Sequence, residues 1–417
     1  MSKSYMNVAK FRSFFPILKT KINGYPLAYF DSASTAQVPQ KVINAITAYY
    51  QNYKANIGRG IYTFAEKSTS EYEQARSDIA KFIGAKASNV LFTSGATASI
   101  NLVANSWGTY NLHSGDEILV SAVEHHSNFL PWQELARTRN VTIKIIPVTE
   151  DGSIDIEVFK KLLHKKTKLV AIVHSSNVTG ATHDVTLISS LCKSVGAAIL
   201  VDACQSVAHQ KIDVETIGCD FLVFSGHKLF GPTGVGVLYA ASDRINEMRP
   251  VEFGGGMVFS VGEHHSEYRP FPRGFEAGTP NISGVIGLGA AVSFVKEFIN
   301  FDELQRHEAG LTLRMIEGLS NIKGIKIISF NPRADLVTLH KNDAHAHMVT
   351  FVSDKYHAHD IAAYLDRYAV AVRAGHHCVQ LYHQQCSLNA TVRISFSGYN
   401  TIQEVDFVIQ KLQEFLN

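Results

Sequence analysis

Seven short runs of apolar, β-branched and aromatic residues punctuate the chain, and the stretches between them carry helical patterns. The runs are Asn89–Thr93, Glu117–Val123, Thr142–Val148, Leu169–His174, Ala198–Asp202, Phe221–Ser225 and, after a tight turn at Gly231–Gly234, Val235–Tyr239. Continuously apolar strands alternating with helices predict an α/β fold with a mainly parallel sheet covered on both faces. In such sheets the ligand sits outside the carboxyl ends of the strands. Those ends carry Ser94-Gly95-Ala96-Thr97, Glu124-His125-His126, Asn177, Asp202-Ala203-Cys204-Gln205 and Ser225-Gly226-His227-Lys228. Five polar groups on five strand ends form a constellation that no single motif would make.

A chain of 417 residues is too long for one ordinary core and suggests two domains. The texture changes after about Gly284. A long helical stretch to about Ser320 is followed by β-type segments (Lys326–Ser329, His347–Val352, Val370–Arg373, Val392–Ser397) among helices (Ala358–Tyr368, Gln403–Leu416). The expectation is a large domain over residues 20–285 and a smaller α+β domain over 286–417. The amino-terminal segment 1–19, helical over Val8–Leu18, is expected to pack on the smaller one. No apolar run approaches the roughly 20 residues that span a bilayer. The net charge of +2 is spread without a basic block, so neither nucleic acid nor an anionic membrane is called for. Five cysteines are an odd count, and no apolar export segment opens the chain. Both argue for reduced thiols in a cytoplasm.

Lys228 follows a buried-looking strand. A lysine there is usually a solvated surface group, but its neighbours suit an imine-forming amine, which wants a partly desolvated pocket and phosphate donors. Asp202 ends the apolar run Ala198–Val201, where a carboxylate is costly unless paired. A pyridinium N–H is one such partner; capping the next helix is the other reading. The small residues at Ser94–Thr97 would let the N–H groups of Ala96 and Thr97 approach a phosphate at a helix start. Ser225 and His227 would add side-chain donors.

Together with Phe275-Glu276-Ala277-Gly278-Thr279-Pro280, these runs resemble the class V aminotransferase family, cysteine desulfurase branch, from about Tyr29 to the carboxyl end. The resemblance implies the PLP-dependent transferase fold type I, with pyridoxal 5'-phosphate on Lys228 as a Schiff base. It implies that His125 stacks on the pyridine face, Gln205 bonds the phenolic oxygen and Asn177 lies beside the ring. Thr279 would reach the phosphate of a neighbouring subunit, hence a homodimer. Cys204, where relatives often have Gly or Ala, reads as structural.

Arg373-Ala374-Gly375-His376-His377-Cys378 follows a short strand candidate. A thiol beside two histidines is a metal half-site, but no second half is evident and no metal is expected. A loop cysteine beside a cation such as Arg373 is also a nucleophile. The run matches the signature of the SUF-type (group II) cysteine desulfurases around their persulfide-forming cysteine, which makes Cys378 that residue. Arg393 matches the family arginine that clamps the substrate carboxylate, a task suited to a guanidinium, with Arg373 assisting; a surface strand arginine is the plainer reading.

The resemblance then implies conversion of L-cysteine to L-alanine. Lys228 would remove the Cα proton, His125 would carry protons, and Cys378 would take the sulfur and pass it to an acceptor protein for iron–sulfur cluster assembly. A selenocysteine lyase, an aminotransferase and a non-enzymatic assembly scaffold are the alternatives. Two positions depart from relatives: Gly58, where a histidine is common, and Val379–Tyr382, where a proline usually follows the cysteine. Both lie where substrate or acceptor would approach.

Overall fold

The computed structural model describes residues 6–149, 151–329 and 347–416. All seven expected runs form one sheet: β1 (Val90–Thr93), β2 (Glu117–Ser121), β3 (Thr142–Ile146), β4 (Thr167–Val173), β5 (Ala198–Asp202), β6 (Phe221–Ser225) and β7 (Gly236–Ala240). Their spatial order is β1-β7-β6-β5-β4-β2-β3. β7 runs antiparallel to β1 and β6, and the other pairs are parallel. Six strands therefore point the same way, and their carboxyl ends share one edge. Every residue of β2, β5, β6 and β7 is buried. Because successive side chains face opposite sides of a strand, both faces must be covered, which explains the unbroken apolar runs. The fold is that of the PLP-dependent transferases, type I.

A second sheet contains β8 (Ile325–Ile327), β9 (Met348–Ser353), β10 (Arg373–Gly375) and β11 (Thr391–Ser395), in the all-antiparallel order β8-β9-β11-β10. Its own hydrophobic cluster draws on helices Phe301–Ser320, Ala358–Asp366 and Ile402–Leu416. The expected strand Val370–Arg373 is two pieces. Val370–Ala371 pairs in parallel with Ala28–Tyr29, and only Arg373 onward joins the four-stranded sheet.

Packing places two segments differently from expectation. The long helical stretch breaks at Asn300, whose side chain accepts from the Asp302 and Glu303 N–H groups and starts a new helix. The first half, Ile282–Phe298, belongs to the larger cluster, so residue 285 falls inside an element of that core. The amino-terminal helix Val8–Ser13 ends before Pro16, which cannot continue it, and a 3₁₀ turn Pro16–Lys19 follows. Phe11 and Phe15 pack on Phe230 and Phe294 of the larger cluster. Arg12 reaches Glu404 on the last helix. The apolar face of this segment thus decides its place, and the charged face bridges. Residues 1–5 of the segment lie outside the described residues. No single helix among the described residues is long and apolar enough to cross a membrane. The pair Ile282–Phe298 and Phe301–Ser320 reaches that composition only jointly, across an 86° bend.

Candidate active site

A cavity of about 220 Å³ opens at the carboxyl edge of the seven-stranded sheet, and residues from the second layer close its far side. Its walls include Ala96, Thr97, His125, Asn177, Asp202, Ser225, His227 and Lys228 from the strand ends, with Arg373, Cys378 and Arg393 opposite. Eleven of the thirteen residues singled out in the sequence therefore meet. Gln205 and Thr279 do not. Gln205 is buried behind Ala33, whose carbonyl accepts from its Nε2 at 2.8 Å. Thr279 is exposed in a separate pocket with Gly58 and Arg59, where Asn56 Nδ2 donates to its hydroxyl at 3.1 Å.

The loop between β1 and helix Ala96–Val103 is drawn inward by a close backbone approach. Gly236 pairs with both Thr93 and Ser225, and a Cβ there would collide with the Gly95 backbone. The Ala96 N–H consequently donates to Ser225 Oγ at 2.9 Å, so one expected phosphate donor is already engaged. Thr97 and Ser127 share a hydroxyl contact of 2.7 Å at the rim. His125 accepts the Ser127 N–H on Nδ1 at 3.1 Å, which leaves its ring proton on Nε2. Burial first, then Lys228, brings the His125 pKa down to about 4, and His227 falls to about 4 for the same two reasons. Both rings are neutral at neutral pH.

Asp202 is 3% exposed, accepts the Cys204 N–H at 2.9 Å and has no ion-pair partner among the described residues. The Cys204 thiol beside it is pushed up to about 12 by burial and then by Asp202, so it stays protonated. Among the described residues, three buried polar atoms of the cavity walls lack a hydrogen bond: Asn177 Oδ1, His377 Nδ1 and Arg393 Nε. Among the described residues, a buried carboxylate without an ion-pair partner, neutral imidazoles and a lysine amine without a hydrogen bond fit a phosphorylated pyridine aldehyde. The carboxylate suits a ring N–H, the lysine an imine, and the hydroxyls and helix start a phosphate.

On the opposite wall Arg393 is 2% exposed. Its Nη2 donates to Asp31 Oδ1 at 3.1 Å and Ser34 Oγ at 2.8 Å, and its Nη1 to the Asn177 carbonyl at 2.8 Å. Burial lowers its pKa and Asp31 pushes back. Arg373, its cross-strand partner, is mostly exposed and lies 3.8 Å from the other Asp31 oxygen. Two guanidiniums share one carboxylate, which leaves the wall net positive. Cys378 is exposed to the same cavity, and His377 and Cys378 both take positive φ (51° and 59°).

The Aminotransferase class-V family matches residues 28–408. The chain belongs to this family. Among class-V relatives, a probable cysteine desulfurase of Halalkalibacterium halodurans is 43% identical over 410 residues, covering 98% of each chain. One of Staphylococcus aureus is 42% identical over 405 residues, covering 96% of this chain and 94% of that one. The apo structure of a cysteine desulfurase from Thermococcus onnurineus NA1 superposes with a TM-score of 0.92 at 34% identity, covering 100% of this chain and 99% of that one. Escherichia coli cysteine desulfurase CsdA, solved as an S-sulfonic acid, gives 0.89 at 31%, covering 99% and 100%.

Several residues of this class-V site escaped the sequence reading. Asp31 and Ser34 follow a short strand ending at Tyr29, and a polar pair after an apolar run was the available signal. Glu124, noted only as part of a run, is buried and holds two strand ends together. It accepts from Ser121 Oγ, from Val173 N at 2.7 Å and from Asn128 Nδ2 at 2.7 Å. Burial outweighs these donors and raises its pKa to about 8.

Proposed function

We propose that this enzyme is a PLP-dependent cysteine desulfurase of the SUF-type group, which moves sulfur from L-cysteine to Cys378 and releases L-alanine. One observation carries this reading: an exposed cysteine faces the cavity that holds Lys228 and Asp202, with a buried arginine beside it. An aminotransferase has no use for a thiol in that place. The pairing of Arg373-x-Gly-His-His-Cys378 with a short connection to Arg393 supports the SUF-type assignment over group I.

Lys228 and Asp202 would hold the cofactor between His125 and the strand ends, with Thr97, Ser225 and His227 around its phosphate. Pyridoxal phosphate, when bound, supplies an electron sink for charge developing at the substrate Cα. Arg393 would take the substrate carboxylate in a charge-assisted, two-bond grip, with Arg373 keeping the entrance positive. The Lys228 amine takes the Cα proton. His125, neutral and protonated on Nε2, can donate to the departing group. The Cys378 thiolate attacks the substrate sulfur; the new S–S bond forms as the C–S bond breaks, and its electron pair goes to carbon. A proton on Cβ and the return of the Cα proton from Lys228 give alanine, and the sulfur stays on Cys378 as a persulfide until an acceptor protein takes it, toward iron–sulfur cluster assembly. Thr279 and the exposed apolar residues around it fit a homodimer in which each subunit completes the other's phosphate site.

Purified protein given L-cysteine without acceptor should release one alanine per site in a burst, with one extra sulfur on the Cys378 peptide by mass spectrometry. Cys378→Ser should keep the cofactor's visible absorbance and lose both signals. Sulfide release by that variant at the parent rate would sink the assignment.

A further inference from the structure

The loop that carries Cys378 is fastened to the large sheet layer at three points. The His126 N–H donates to the Cys378 carbonyl at 2.7 Å. The Gln380 N–H donates to His126 Nε2 at 3.1 Å. Asn177 Nδ2 donates to the His377 carbonyl at 2.8 Å. At these ties, His377 and Cys378 both adopt left-handed backbone angles. Residues with a Cβ disfavour that region and keep it only where surroundings over-determine them. Without the ties, this stretch would relax toward conformations that turn the thiol elsewhere.

Two of the three ties belong to one residue, and both hold the backbone immediately after the cysteine. The His126 backbone secures the peptide after Cys378, and its ring secures the next one, at the Gln380 N–H. Val379 and Tyr382 are buried beyond, so the ring marks the point where the exposed nucleophile loop enters packed structure. The ring is partly buried, with its pKa lowered by burial and then by His376, as an acceptor nitrogen requires. Apart from its backbone tie to Cys378, His126 makes no hydrogen bond to a cavity-lining residue among the described residues. Its neighbour His125 turns the other way, into the cavity.

We propose that His126 is a positioning residue for the nucleophile: its imidazole acceptor holds the Gln380 peptide, and so keeps Cys378 in its left-handed, cavity-facing conformation. This rests on the assignment of Cys378 as the sulfur-accepting residue. The role needs an acceptor at the Nε2 position and nothing else from the ring. Glutamine places a carbonyl oxygen at a similar reach and should substitute; alanine and phenylalanine should not.

The test compares His126→Gln, His126→Ala and His126→Phe with the parent as holoenzymes, by two measurements. The first is the single-turnover rate of alanine formation from L-cysteine. It should fall about tenfold in the Ala and Phe variants, the scale of one lost hydrogen bond, and stay within about threefold of the parent in the Gln variant on the same scale. The KM and the cofactor absorbance should not move in any of them. The second is hydrogen exchange of the 376–386 peptide, which needs no turnover; exchange at Gln380 should quicken in the Ala and Phe variants and not in the Gln variant. Parent-like burst and exchange in His126→Ala, or equal damage in all three variants, would overturn the proposal. A parent that makes no alanine from L-cysteine would instead overturn the functional assignment, and the exchange data would still report on the tie.

Discussion

Arg393 shows how one side chain can carry both structure and recognition. Its guanidinium joins Asp31, Ser34 and the Asn177 carbonyl, three groups from two separate segments that no ammonium could span. Arg393→Lys should therefore raise the KM for L-cysteine about tenfold to a hundredfold, the worth of a charge-assisted pair. The cofactor spectrum should persist, and an unchanged KM would remove Arg393 from substrate binding. The site histidines carry a pH signature. Burial first, then Lys228, depresses His125 to about 4, against about 6.5 in an unfolded chain. The unfolded chain thus binds a proton that the fold refuses. This contribution to stability is full above pH 6.5 and is lost as pH falls toward 4. Glu124, held up to about 8 by burial, acts in the opposite sense, so the clean measurement is a difference. In cofactor-free protein, His125→Gln should lose less melting temperature between pH 7 and pH 5 than the parent, by a few degrees. Parallel melting curves would contradict the buried, neutral state of this ring.

At the scale of elements, the loop bearing Thr279 is anchored by a buried ion pair. Arg76, on helix Thr63–Phe82, is 2% exposed and grips both oxygens of Glu276 at 2.9 and 2.8 Å. Its Nη1 also donates to the Val90 carbonyl, while Glu276 accepts the Phe92 N–H. Helix, loop and β1 therefore meet at one pair. Arg76→Ala leaves a buried carboxylate uncompensated and should cost about 3–5 kcal/mol, measured by urea unfolding. A loss below about 1 kcal/mol, the usual worth of an exposed pair, would mean that water reaches Glu276. Elements were legible in the sequence wherever burial is continuous. All seven large-sheet strands and the glycine-bearing loops were visible, because strands covered on both faces leave unbroken apolar runs. The break at Asn300 and the split of Val370–Arg373 were not, because a capping asparagine and a change of strand partner leave the apolar pattern intact.

For the whole molecule, one surface exposes large apolar side chains. Ile61 is 93% exposed, Val261 72% and Phe259 66%, and the pocket holding Gly58, Arg59 and Thr279 is lined by residues neighbouring them. Gly58 has φ of +99° with open space around its Cβ position, so a histidine there would strain the backbone and would not collide with a neighbour. A homodimer that buries this face would bring Thr279 to a second site. Phe259→Asp should then shift the sedimenting species from twice the chain mass to once, with weaker cofactor retention. A parent that sediments as a monomer would refute this arrangement. The sequence alone determined the α/β sheet and its polar carboxyl edge, because strand burial and strand-end polarity are written in local order, whereas Cys378 was singled out by a family resemblance. Only the tertiary structure decided that Asp31 balances Arg393, that Gln205 and Thr279 stand apart from the cavity, and that His126 ties down the Cys378 loop. Those contacts join residues from about 170 to more than 350 positions apart, and no local pattern records which distant groups a fold brings within hydrogen-bond reach.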